Sequence, residues 1–227
     1  MESRLTLDRI PVGCLEWLAS SRLKFLHDMV KGKPMRYFSA HLPVMATWPD
    51  SGSGENEFPV NLTVKGIGLI PEQKLLADYT DIFEGVIAEA RTMPWSESLQ
   101  RRVEAVERLY GQTNNFDPTV LGGLEIFEGR AFENMKGNPH SSLLYVGMSY
   151  DPKGMKYISF QVNGKVEILE KESPCYRFLL ASRRLFEFDA FHIFQPDYPF
   201  GYLVKIKEVR DKSPWPKGAR GPDMPER

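Results

Sequence analysis

Apolar residues recur at helical spacing near the start of the chain. Leu15, Ala19, Leu23, Leu26 and Val30 step by three and four, and Leu18, Phe25 and Met29 widen the stripe. This predicts a helix over residues 12–32, closed by Gly32 and Pro34. Residues 35–47 read as a strand in which Pro43 marks an edge position or a bulge. Residues 48–57 (WPDSGSGENE) form a turn-rich loop, and residues 58–70 read as a second strand, partly alternating at Val60, Leu62 and Val64. The period then changes. Pro71 suits the first turn of a helix whose stripe is Leu75, Leu76, Tyr79, Ile82, Phe83 and Val86. Thr92-Met93-Pro94 breaks it, Ser96 is a candidate cap, and Val103, Val106 and Leu109 continue a second helix to Gly111. Residues 71–112 are therefore expected to be a helical hairpin inserted between strands.

The second half reads as a meander. Val120 to Phe127 is a strand, and Arg130 to Lys136 a short helix ended by Gly137-Asn138-Pro139. A strand from Ser142 to Tyr150 leads into the turn sequence Asp151-Pro152-Lys153-Gly154. Tyr157 to Val162 and Lys165 to Glu170 are predicted to pair across a two-residue turn at Asn163-Gly164. Ser173-Pro174 opens a helix to about Phe186. The last strand, Tyr202 to Val209, sets Val204 and Ile206 on one face against Lys205 and Lys207 on the other. The tail at 212–227, with Pro214, Pro216, Pro222 and Pro225, is expected to be flexible. Hairpins dominate, so the expectation is a mainly β fold with helices (α+β), one barrel domain over 1–211. No glycine-rich loop follows a strand, so a dinucleotide fold or P-loop has no support.

Composition narrows the chemistry. The chain has 227 residues, with 29 Lys plus Arg against 30 Asp plus Glu, a net charge of −1. That balance gives no basic excess for nucleic acid, so function must sit in a local site. Two cysteines, Cys14 and Cys175, make no disulfide framework or zinc ribbon. There is no apolar run of membrane-spanning length, and the expected compartment is a reducing cytoplasm with no membrane partner.

The strand Leu124-Glu125-Ile126-Phe127 leads into Gly129-Arg130-Ala131-Phe132-Glu133-Asn134-Met135-Lys136-Gly137-Asn138-Pro139 and then Ser141-Ser142-Leu143. Further on come Ile158-Ser159-Phe160-Gln161-Val162-Asn163-Gly164 and the helix from Ser173. In order and spacing, Leu124 to Arg183 resembles part of the pyridoxamine-phosphate-oxidase-like group of FMN-binding split barrels, whose pattern here is Arg-Lys-x-x-Asn-Leu-x-x-Asn-Pro. The resemblance implies a split β-barrel, enlarged here by the helical hairpin. It also implies a homodimer with two cofactor sites at its interface and redox chemistry on a small molecule. Arg130 matches the phosphate-binding Arg, whereas Ala131 stands where the Lys is expected. Ser159 falls where a flavin-facing polar residue, often Gln, is expected. With Asn134, Ser141, Ser142 and Gln161 these residues form the candidate cofactor set. The missing Lys leaves open FMN held differently, another flavin-like molecule, haem, or no cofactor. It also leaves open a non-catalytic accessory or assembly subunit acting through the 71–112 hairpin and the tail.

Each candidate has an ordinary alternative. Arg130 is either a phosphate ligand or a solvated charge. Asn134 and Asn138 also suit turn and cap roles, and Ser141 and Ser142 also suit the opening of a strand. Cys175 sits at a helix start, where a thiolate is stabilised, whereas Cys14 lies on an apolar helical face. His27, His41, His140 and His192 show no metal-ligand spacing; His41 and His192 are the candidate axial haem ligands. Arg101-Arg102 and Arg183-Arg184 read as solvated helix faces, and Trp48, Trp95 and Trp215 as packing residues.

Overall fold

The computed structural model describes residues 4–34, 40–50, 57–151, 154–186 and 198–214. The elements run β1 (Arg4–Leu7), α1 (Val12–Val30), β2 (Val44–Thr47), β3 (Asn61–Val64), β4 (Ile67–Pro71), α2 (Gln73–Ala90) and α3 (Trp95–Tyr110). They continue with β5 (Phe116–Glu125), α4 (Arg130–Gly137), β6 (His140–Asp151), β7 (Gly154–Leu169), α5 (Pro174–Arg184) and β8 (Phe200–Asp211).

All strand pairs are antiparallel, in the order β3-β2-β6-β7-β8-β5-β4, with β1 added on β8. The two ends of this order meet. The amides of Lys65 and Ile67 donate to the carbonyls of Pro43 (3.2 Å) and His41 (2.9 Å), so the segment ahead of β2 also pairs with the start of β4. β3 and β4 thus act as one bent strand, bound to β2 along one half and to β5 along the other. The sheet closes into the expected barrel, and no edge is left along its main ring.

Alternation along the strands fills the interior. Met45, Leu143, Tyr145, Val162, Val204 and Ile206 are all buried. The hairpin lies between β4 and β5 as expected, α2 packing on α5 and α3 on α1. Its apolar stripes, including Leu76, Phe83, Val103, Val106 and Leu109, are buried inside the molecule. Helix α5 covers the outside of β5 and β8: Cβ atoms at Gly122 and Gly201 would approach Leu179 at 3.1 Å and Tyr176 at 3.1 Å. The outside of β3, β2, β6 and the first half of β7 carries no helix, and there Leu62, Val64, Leu144, Val146, Met148, Met155 and Tyr157 are exposed.

Several local expectations change. Asn163-Gly164 is not a turn: β7 runs unbroken from Gly154 to Leu169, and the pair marks a bulge against β8. A Cβ at Gly164 would lie 2.6 Å from the Lys205 carbonyl oxygen, so close strand approach is what requires glycine there. Pro71 ends β4 instead of opening α2, which begins at Gln73 behind Glu72. The strand expected over 35–47 is limited to Val44–Thr47, and residues 35–39 lie outside the described residues. Pro94, not Ser96, occupies the cap position of α3. β1 was not visible in the pattern because four residues are too short to show a period. Arg102 is not solvated: it is buried, donates to the Leu185 carbonyl (2.7 Å) and to Ser98 Oγ (3.1 Å), and lies over the Trp95 ring. The expected tail is described only as far as Pro214.

Candidate functional site

Helix α4 packs against β2 and β3 at one end of the barrel. Its buried face is Ala131, Phe132, Asn134 and Met135, and Phe132 stacks on Phe200 at 5.0 Å between ring centroids. Asn134 Nδ2 donates to Thr47 Oγ1 (3.2 Å), which ties the helix to β2. Asn138 accepts from the amide of His140 (3.1 Å) and closes the corner into β6. Asn134 is thus 7% exposed and committed to a structural bond.

Ser141 and Ser142 fall on opposite faces of β6. Ser141 is 2% exposed, points inward beside Thr47, and its hydroxyl has no hydrogen-bond partner. Ser142 faces outward and accepts from Gln161 Nε2 (3.3 Å). The two serines therefore cannot share one ligand. This separates Ser141 and Asn134 from the other four candidates.

Gln161 also donates to Asn163 Oδ1 (3.0 Å), Asn163 donates to Glu208, and Arg210 grips Glu208 through Nε (2.9 Å) and Nη2 (3.2 Å). A polar strip thus crosses β6, β7 and β8 in the middle of the outward face. Sequence reasoning missed Asn163, Glu208 and Arg210. The alternation of Glu208 and Arg210 with the inward Val209 was their only signal. Ser159 lies one step further along β7, its amide accepted by Ser213 Oγ (3.0 Å).

Arg130 opens α4 as an exposed residue, with Nη2 3.5 Å from the Phe58 carbonyl oxygen. Ala131, in the slot of the expected Lys, is 6% exposed and faces the barrel end. A lysine there would bury its ammonium, so α4 opens with one cation, Arg130, where the resemblance implies an adjacent pair. Where β4 begins beside the end of β5, Lys65 and the fully buried Glu125 form an ion pair at 2.6 Å. Glu125 Oε1 also accepts from the amides of Ile126 (3.2 Å) and Phe127 (3.3 Å). A charge pair at a strand end was not foreseen, because nothing in the sequence joins residues so far apart.

The other candidates lie elsewhere. His41 lines an interior cavity of about 10 Å³ with Arg22, Tyr110 and Tyr145. That volume is about one water molecule, so no haem fits against His41 there. Burial, with the nearby Arg22 and Arg183 guanidinium groups, lowers the His41 pKa to about 3. The neutral ring is therefore favoured on folding. Its contribution is complete above the unfolded value near 6.5 and is lost as the pH falls toward 3. Between these limits His41 is expected to steepen acid destabilisation by at most about 1.4 kcal/mol per pH unit. Urea titrations at pH 4, 5 and 6 test this: His41→Gln should flatten the slope, and an unchanged slope would contradict it.

Burial raises the Cys175 thiol, contrary to an activated thiolate at the start of α5. Cys14 is buried, as expected, and burial raises its thiol strongly. Trp48 and Trp95 are half-buried, whereas His192 and Trp215 lie outside the described residues. No group of three or more His, Cys, Asp or Glu side chains among the described residues could hold a metal ion. No helix among them is long and apolar enough to cross a membrane.

No family model matches the chain. No curated protein matches it either. Solved structures do. A proposed pyridoxamine 5′-phosphate oxidase of Lactobacillus delbrueckii is 14% identical, covering 92% of this chain and 98% of its own, at a TM-score of 0.41. HutZ, the haem storage protein of Vibrio cholerae, is 9% identical over 76% of this chain and 87% of its own, at 0.40. An FAD-binding protein of Mesorhizobium loti is 9% identical over 93% and 99%, also at 0.40. The chain's own strand pairing establishes its architecture: an α+β split barrel closed through β2 and β4, with a helical hairpin inserted between β4 and β5.

Proposed function

We propose that the chain is a flavin-binding split-barrel protein, taking FMN or a close relative, that performs redox chemistry on a small molecule in the cytoplasm as a homodimer. One observation carries this reading. A polar pair, Ser142–Gln161, opens in a bare apolar sheet face, and Arg130 is exposed at the start of α4. A flavin needs a flat apolar bed, polar groups at the ring edge and a cation for phosphate.

Four candidates fit such a ligand. The Arg130 guanidinium suits a phosphate through two parallel N–H bonds. Ser142 and Gln161 offer a hydroxyl and an amide to the ring edge, and Ser159 follows on the same face. Leu144 and Val146 exclude water from beneath the ring. Asn134 and Ser141 do not fit, being buried behind the strand. Bound flavin would supply the hydride or electron transfer, while the chain holds, orients and desolvates it.

Titration of the purified protein followed by absorbance and fluorescence tests the reading. FMN should bind at micromolar concentration, and Arg130→Ala should weaken it about 10- to 100-fold, the range for a charged hydrogen-bonded contact. A colourless protein that takes up no flavin rejects it.

The hairpin offers little to the accessory-subunit alternative. Its apolar stripes are used internally, and its outer face carries exposed ion pairs such as Arg101–Glu89 at 2.8 Å.

A further inference from the structure

We propose that Arg210 and Glu208 are positioning residues that act through Asn163 to fix the Gln161 amide, so that the sheet face selects a ring edge bearing an N–H beside a carbonyl; this rests on that face being the ligand's bed. In a flavin such an edge is the imide side of the pyrimidine ring.

Register sets these polar groups in an apolar field. Ser142 lies opposite Asn163, and Asn163 opposite Glu208. Gln161 lies between Leu144 and Arg210. Beyond β8 the same two rows end in Leu7 and Leu5, 61% and 53% exposed. Beyond β6 they continue through Ala46 and Val44 to Leu62 and Val64. A ligand group that mismatched the polar strip would be covered there without a partner.

Donors and acceptors along the strip run in one direction. A guanidinium only donates, so Glu208 must accept from Arg210. Its hydrogen bonds from Arg210 and then Asn163 hold the Glu208 carboxyl below its ordinary range, so it stays an acceptor near neutral pH. Asn163 therefore turns its amide nitrogen to Glu208 and its Oδ1 to Gln161. That oxygen needs a donor, and Gln161 Nε2 meets it at 3.0 Å. The second Nε2 hydrogen goes to Ser142 Oγ at 3.3 Å. Both amide hydrogens of Gln161 are spent, and its Oε1 accepts from no described residue. Ser142 accepts from Gln161 and keeps its own O–H to give.

The strip thus offers one acceptor beside one donor. An imide or lactam edge supplies the complement within one rigid ring. An isolated amide has no preference between its two orientations. Here, reversing Gln161 would set two oxygens together at Asn163. Reversing Asn163 as well would set its Oδ1 against the Glu208 carboxylate. The charged end of the strip therefore decides what the neutral end can recognise.

Titrations of the whole chain with FMN and with N3-methyl-FMN, which lacks the imide N–H, test this. Wild type should bind FMN at least about tenfold more tightly, the effect of leaving a covered acceptor unpaired. Glu208→Gln keeps the shape but can donate to Asn163, which frees both amides to reverse. FMN should then weaken, and its advantage over N3-methyl-FMN should fall below about threefold. Gln161→Met removes the acceptor and should lose the advantage as well. The ratio is taken within each variant, so a partly unfolded sample does not alter it. Equal binding of the two flavins by wild type, or an advantage unchanged in Glu208→Gln, would overturn the proposal. If neither flavin binds wild type, the flavin reading itself falls and takes the proposal with it.

Discussion

Gly164→Ala is expected to cost about 3 kcal/mol of stability, the upper range for forcing extra volume into a packed position. The added Cβ would sit 2.6 Å from the Lys205 carbonyl oxygen and 2.7 Å from Val204 Cγ1. The first of these is backbone in the neighbouring strand, so relief requires β7 and β8 to separate at the bulge beside Asn163. Urea unfolding of the variant beside wild type measures the loss. A cost under about 1 kcal/mol is what a tolerant turn glycine would show, and that result would refute the close-approach explanation.

If the chain pairs through its bare sheet face as proposed, Val146→Glu is expected to convert that homodimer to monomer at micromolar concentration. Leu62, Val64, Leu144, Val146, Met148, Met155 and Tyr157 project from one side of the sheet, each between 41% and 66% exposed. At about 200 Å² for a fully exposed large side chain, they offer roughly 700 Å². That exceeds the usual patch on a monomer and approaches the roughly 800 Å² each partner contributes to a standard interface. A second copy is the proposed cover, closing over the same face that would bed the flavin, since a two-fold contact is self-complementary. A carboxylate at its centre would be buried without a partner, a cost of several kcal/mol. Sedimentation equilibrium decides. Wild type that sediments as a monomer, or a variant as dimeric as wild type, would remove this face from consideration.

Periodicity made the long elements legible. α1, α2, α3 and α5 lie where their apolar stripes place them, because a stripe of that width has only one way to be buried. The long strands failed at one instructive point. Asn163-Gly164 carries the chemistry of a hairpin turn, yet a glycine also serves where another strand passes close, and the sequence does not distinguish the two demands. The site was legible in part. Arg130, Ser142, Ser159 and Gln161 emerge on surfaces where a ligand has access. Ser141 is buried because adjacent strand residues point oppositely and pairing with β2 sets the register, and Asn134 is buried on the inner face of α4. The Lys65–Glu125 pair had no local signal at all, since 60 positions separate its members.

β8 pairs with β1, β5 and β7, so it is the strand on which the ring is stitched together. It is also the last strand among the described residues, ending at Asp211. During synthesis β1, β5 and β7 wait for it, and the apolar interior stays unsealed until it is made. Long-range pairing of this kind folds slowly and keeps sticky intermediates alive. The helices α1, α2 and α3 are complete well before that moment, and their packing can shelter part of the unfinished wall. The inserted hairpin therefore serves a nascent chain as well as a finished one.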